Sequence, residues 1–95
     1  MIYDRIIIGG GAAGLYCAAL SSVQRGLILE GSPEPGKKLM LSGSGQCNIT
    51  HGGSIKNFIA HYGENGNRIR SCLYRHNNLA VTSFFQSHGV NTITR

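Results

Sequence analysis

Ile6-Ile7-Ile8-Gly9-Gly10-Gly11-Ala12-Ala13-Gly14-Leu15 decides how the rest of the chain is read. The β-branched run Ile6 to Ile8 has the continuous apolar character of a parallel strand covered on both faces. A strand is predicted over residues 2–8, with Arg5 near its exposed lower end. The glycines that follow form a turn, and the Ala- and Leu-rich residues after them favour a helix over 12–24. Gly26 suits the position just past the end of that helix. Leu27-Ile28-Leu29-Glu30 reads as a second strand. A right-handed crossover places two strands joined in this way parallel in one sheet.

Gly9, Gly11 and Gly14 fit the pattern GxGxxG. The match alone is weak; its place between a strand and a helix gives it meaning. Gly9 turns the chain sharply off the strand. Gly11 leaves room for a pyrophosphate to approach the backbone, and Gly14 allows the helix to pack closely on the sheet. Unpaired amides at the helix start, those of Ala12 and Ala13 among them, hold phosphates together with the positive end of the helix dipole. Glu30 lies 21 residues after Gly9 and closes the second strand. A carboxylate there accepts hydrogen bonds from ribose hydroxyls. It also repels a 2′-phosphate, which disfavours NADP at this site. The fingerprint does not by itself separate FAD from NAD.

Beyond Glu30 the sequence predicts a long loop region over 31–53, which is uncommon unless functional. Ser54 is a good N-cap for a helix with Ile55, Phe58, Ile59 and Tyr62 on one face and Gly63 as its stop. Residues 64–67 read as a turn. A helix over 68–76 is expected to bury Ile69, Cys72 and Leu73. Another, over 79–88, is expected to bury Val81, Phe84 and Phe85, with Asn78 as cap and Gly89 as stop. Residues 90–94 look like a third strand.

Composition narrows the possibilities. Fourteen of the 95 residues are glycine and apolar residues make up 41%, which fits a folded chain rich in tight turns. The net charge of +5 favours anionic partners. Lys37-Lys38 is the only adjacent basic pair, and no basic stripe appears along the sequence, so a phosphorylated cofactor is favoured over nucleic acid. Three widely spaced cysteines argue against a disulfide framework. Neither a signal peptide nor a membrane-length apolar run is evident, and a reducing cytoplasm is the expected location. Cys17 and Cys72 read as small core residues. The four histidines lack metal-ligand spacing, and His51, beside the glycine loop, reads as an exposed loop residue.

Residues 36–50, Gly-Lys-Lys-Leu-Met-Leu-Ser-Gly-Ser-Gly-Gln-Cys-Asn-Ile-Thr, form the most distinctive stretch. Ser42 to Gly45 bares a run of backbone amides that can form an anion-holding nest, with Lys37 and Lys38 adding charge nearby. Together with the N-terminal IIIGGGAAGL, this stretch resembles the BaiN-like (YhiN-type) NAD(P)/FAD-dependent oxidoreductases. Those proteins share a GGGAAGL turn, an acid closing the second strand and a GKKLLxSGxGxCNxT pattern.

The resemblance implies an α/β fold: a Rossmann-like βαβ unit, then a glycine-rich loop and short helices, as the amino-terminal part of an FAD-binding domain. The remainder of that domain and a second domain would lie outside these 95 residues. It implies FAD as cofactor and NAD(P)H or a substrate as hydride partner. Gly9, Gly11 and Gly14 would hold the pyrophosphate and Glu30 the adenosine ribose. Lys38, with Ser42, Gly43, Gly45, Gln46, Cys47 and Asn48, would run beside the cofactor toward the flavin. Gln46 departs from the Arg that many members carry, and Arg5 from their apolar residue. No second cysteine lies near Cys47, so flavin-disulfide chemistry is not expected. Catalytic residues are not assignable, and no membrane partner is expected. The 95-residue chain alone is expected to be inactive, and the competing reading is a truncated, non-catalytic nucleotide-binding module.

Overall fold

The computed structural model describes residues 1–42 and 46–94. The chain divides into two compact units, Met1–Cys47 and Asn48–Arg95.

The first unit is built on strand β1 (Arg5–Ile8), helix α1 (Ala12–Leu20) and strand β2 (Gly26–Leu29). The strands pair in parallel, Arg5 opposite Gly26 and Ile8 opposite Leu29. Side chains alternate between faces in a strand. Ile7 meets α1, coming within 3.3 Å of where a Gly14 Cβ would stand. Ile6 and Ile8 are 55% and 86% exposed, so this face of the sheet is uncovered and the two-faced burial read from Ile6 to Ile8 is not realised. At the lower end the Asp4 amide donates to the Arg25 carbonyl at 2.8 Å, and the Arg25 amide donates to Asp4 Oδ2 at 3.1 Å. At the upper end the Gly9 amide donates to the Leu29 carbonyl at 2.8 Å.

Helix α1 is shorter than the predicted 12–24. Ser21 adopts an extended conformation, and its hydroxyl donates to the Cys17 carbonyl while accepting from the Arg5 guanidinium. A serine that offers its own side chain to the backbone competes with continued helix. Gly26 is consequently the first residue of β2 and not the helix stop. Within the predicted long loop, Gly36 takes a left-handed conformation (φ 69°) and opens a single-turn helix, α2 (Lys37–Leu41).

The second unit is helical: α3 (Ile55–Ala60), a 3-10 turn (Gly63–Asn65), α4 (Gly66–Arg75) and α5 (Asn78–Ser87). Ser54 caps α3, accepting from the Asn57 amide at 3.2 Å, as expected. Gly66 is buried because a Cβ there would lie 2.8 Å from the Ile59 carbonyl oxygen. That contact seats α4 on Ile59, the buried apolar side chain among the described residues. Ile69 and Leu73 are half-buried, but Cys72 is exposed, as is Cys17 on α1, contrary to the core roles read for them.

The cap of α5 is Asn77, whose side chain accepts from the Ala80 amide at 3.0 Å, one residue earlier than predicted. Asn78 is buried instead, and its amide nitrogen donates to the carbonyls of His51 (3.1 Å) and Gly53 (3.0 Å). Val81, Phe84 and Phe85 are half-buried. Gly89 (φ 81°) stops α5: its amide donates to the Gln86 carbonyl and the Val90 amide to the Phe85 carbonyl. This paired pattern is a Schellman motif. It occupies the amide with which a strand from Val90 would begin, and no third strand is present among the described residues.

Candidate nucleotide site

Where β1 ends, Gly9 has φ 101°, a backbone conformation that disfavours any side chain. The chain then passes through Gly10 and Gly11 into α1. A Cβ on Gly14 would stand 1.9 Å from the Gly9 carbonyl oxygen, so only glycine lets the first turn of α1 close on the strand end. A Cβ on Gly11 would meet nothing within 4 Å: the space in front of the helix start is open. No side chain caps α1, and its first helical bond runs from the Leu15 amide to the Gly11 carbonyl at 2.9 Å. The amides of Ala12, Ala13 and Gly14 precede that bond and have no acceptor within the helix. Unsatisfied amides and the positive end of the helix dipole thus face open space, the arrangement that receives phosphates.

Glu30 sits on this turn. Its Oε1 accepts from the Gly10 amide at 2.8 Å, and its Oε2 accepts from both the amide and the hydroxyl of Ser32, each at 2.8 Å. These donors stabilise the charged carboxylate. Its pKa is lowered, first by the Ser32 amide, then by the Gly10 amide, then by the Ser32 hydroxyl. The following loop is tied to the same place, because the Gly36 amide donates to the Gly10 carbonyl at 2.7 Å. Pro35 stands 3.0 Å from where a Gly10 Cβ would lie, so a bulkier residue there would displace either Pro35 or the acid.

The structure therefore brings Gly9, Gly11, Ala12, Ala13, Gly14 and Glu30 into one neighbourhood and adds three residues not foreseen: Ser32, Pro35 and Gly36. A serine two residues after an acid is a local turn former, and Pro-Gly marks a turn; both signals are short-range and say nothing of the glycine turn they serve. Lys38 is exposed on α2. Ser42 ends α2, its hydroxyl donating to the Leu39 carbonyl at 2.8 Å and lying 3.9 Å from the exposed Cys47 thiol. Gln46 is also exposed. Gly43 and Gly45 lie outside the described residues, and Asn48 begins the second unit.

His51 differs from its reading as an exposed loop residue. It is half-buried and stacked on Phe58, with centroids 4.0 Å apart and 12° between planes. Both ring nitrogens are buried without a hydrogen-bond partner among the described residues. No His, Cys, Asp and Glu cluster suited to a metal ion occurs among the described residues. No described helix is long and apolar enough to cross a membrane. A cavity at the far end of the strands, lined by Arg5, Ala18, Ser21, Val23 and Gly26, is separate from the glycine turn.

A parallel strand, glycine turn, helix and strand with an acid closing the turn define a Rossmann-type βαβ unit. The chain belongs to the family described as the HI0933-like protein Rossmann domain, which matches residues 3–95. It is 34% identical over 90 residues to a ribosomal RNA dihydrouridine synthase of Haemophilus influenzae, covering 92% of this chain and 22% of that protein. It is 32% identical over 93 residues to a 3-dehydro-bile acid delta(4,6)-reductase of Clostridium scindens, covering 94% and 22%. A ribosomal RNA dihydrouridine synthase of Escherichia coli is 45% identical over 51 residues, 52% of this chain and 13% of that protein. The chain thus spans less than a quarter of the length of these curated relatives.

Proposed function

We propose that this chain is the nucleotide-gripping segment of a flavin-dependent reductase, belonging to an FAD-binding domain whose remaining parts lie outside these 95 residues. The observation that carries the reading is the Glu30 carboxylate resting on the Gly10 amide beside an uncapped helix start. The open space at Gly11 and the close approach at Gly14 fit a dinucleotide diphosphate. Gly9, Gly11 and Gly14, with the amides of Ala12 and Ala13, hold the diphosphate, and Glu30 accepts from the adenosine ribose. By the family resemblance, Lys38, Ser42, Gly43, Gly45, Gln46, Cys47 and Asn48 would run beside the cofactor toward the flavin.

The names of two relatives share one chemistry. Dihydrouridine differs from uridine by saturation of a C=C bond conjugated to a carbonyl, and a delta(4,6)-reductase of a 3-dehydro steroid acts on the same type of bond. The proposed substrate class is therefore a conjugated C=C–C=O system: hydride adds to the β carbon and a proton to the α carbon. FAD, re-reduced by NAD(P)H, supplies the hydride. The residues of this chain bind and orient the cofactor and take no part in bond making.

Titration of the purified chain with ADP and FAD tests the reading. Binding that Glu30→Ala weakens at least tenfold supports it; a folded chain that binds neither ligand overturns it. Flavin bleaching by NADH or NADPH, measured on a protein that carries the remainder of the domain, separates a reductase from the non-catalytic nucleotide-binding module.

A second reading concerns RNA and rests on charge. Residues 48–95 hold five of the nine Lys and Arg but one of the four acids. Arg68, Arg70 and Arg75 are all exposed along α4, and the Arg70 guanidinium lies 5.3 Å over the Tyr74 ring. At 100° per residue Arg68 and Arg75 fall about 20° apart on the side of α4 away from half-buried Ile69 and Leu73, while Arg70 lies on the opposite flank. Arg68 and Arg75 thus share one solvent face, and two relatives are named for acting on ribosomal RNA. In this reading α4 contacts RNA phosphates. An affinity for a ribosomal RNA fragment that falls steeply with salt, and a shallower slope in Arg68→Glu/Arg75→Glu, are expected. An affinity that the double variant leaves unchanged removes RNA from the account.

A further inference from the structure

We infer that Ser32 is the positioning residue for Glu30, holding its carboxylate in the free protein and releasing one oxygen when a ribose arrives. The inference rests on the nucleotide-binding reading above. Glu30 is exposed at the end of β2, where an unrestrained carboxylate samples several rotamers. Three donors suppress that freedom, and two of them belong to Ser32. Each carboxylate oxygen offers about two acceptor positions, and both of those on Oε2 are taken by Ser32, so a ribose hydroxyl reaches Oε2 only if one donor gives way.

The Ser32 hydroxyl resolves this conflict. It lies 2.8 Å from Glu30 Oε2 and also 2.8 Å from the Glu34 carbonyl oxygen. A hydroxyl has one proton to donate, and that proton rotates freely between acceptors. In the free protein it can rest on Glu30. When a ribose hydroxyl donates to Oε2, the Ser32 proton turns to Glu34 and remains bonded. The Ser32 amide keeps its bond to Oε2 throughout, so the carboxylate does not swing away. A ribose hydroxyl is therefore accepted without leaving a polar group unpaired, which is the usual cost of inserting a ligand into a satisfied network.

The test compares ADP with 2′,3′-dideoxy-ADP by calorimetric titration of the intact chain at one pH. The wild-type chain is expected to prefer ADP. Ser32→Ala, which frees the Glu30 carboxylate to sample further rotamers before the ribose arrives, should reduce ADP affinity about fivefold while leaving the dideoxy ligand unchanged. Ser32→Thr, which keeps the hydroxyl, should restore the preference. A merely structural role would weaken both ligands equally, and that result overturns the inference. So does a Ser32→Ala chain that discriminates as well as wild type. A wild-type chain that does not discriminate, or that Glu30→Gln leaves unaffected, overturns the nucleotide-binding reading itself.

Discussion

Helix α1 in the first unit and helix α5 in the second begin in opposite ways. Helix α5 is closed off: Asn77 accepts from the Ala80 amide, and the neighbouring Asn78 turns inward to bind two carbonyls. Helix α1 begins at a glycine with no side-chain cap and open space in front. Capping satisfies a helix start from within the chain; a glycine start leaves it for something else. The first unit also leaves Ile6, Ile8 and Leu29 at least half exposed, whereas the second packs its helices around Ile59 and Gly66. The start of α5 is satisfied locally and the start of α1 is left open, which is why nucleotide binding is read in the first unit.

The largest effect that would break this contrast is expected at Gly14. Even alanine places a Cβ 1.9 Å from a backbone oxygen, and backbone cannot step aside as a flexible side chain can. Gly14→Ala should destabilise the glycine turn by about 3 kcal/mol, the upper range for overpacking, and abolish ADP binding. Amide resonances of residues 5–36 would report the disruption. Retention of both the spectrum and ADP binding would show that the turn is looser than its geometry requires.

Asn78→Leu is the counterpart in the second unit. It leaves the carbonyls of His51 and Gly53 without their donor, at a cost of about 1–3 kcal/mol. The urea midpoint should fall while ADP affinity holds. Asn77→Ala removes the cap alone and should cost about 1 kcal/mol. If Asn77→Ala proves the more damaging of the two, the inward clamp has been overvalued relative to the cap.

The same contrast explains what could be read in advance. The βαβ unit was legible because each step is local: β-branched residues, a glycine turn, an Ala-rich stretch and an acid in register. The Ser54 cap and the Gly89 stop were legible for the same reason. The end of α1 was not, because Arg5 reaches the Ser21 hydroxyl from sixteen residues away and helix propensity carries no such information. The cap of α5 slipped by one residue because Asn77 and Asn78 are chemically alike and only the distant His51 and Gly53 carbonyls assign their roles. A strand over 90–94 was misread because a strand needs a neighbour, and the Schellman bond of Val90 comes first. At the site, Glu30 was legible, whereas Ser32 and Gly36 act through contacts with residues that no spacing rule connects.

The smallest expected effect is also the most direct probe of the open turn. Hydrogen bonds led by the Ser32 amide, the Gly10 amide and the Ser32 hydroxyl hold the Glu30 carboxylate in its charged form and lower its pKa. A group whose pKa is lower folded than unfolded stabilises the fold above its unfolded pKa, and that contribution disappears as pH falls through the folded value. Carbon-detected NMR titration should therefore place the Glu30 midpoint below that of an ordinary glutamate. Ser32→Ala should raise the midpoint by removing the hydroxyl, yet leave it below the ordinary value, because the Ser32 and Gly10 amides remain. Ligand should sharpen the difference: with ADP bound, a ribose hydroxyl takes the position on Oε2 that the Ser32 hydroxyl vacates, so the midpoint should fall in the Ser32→Ala chain toward the wild-type value. A Ser32→Ala midpoint that ADP leaves in place would mean that the acid holds the turn together and never touches the sugar.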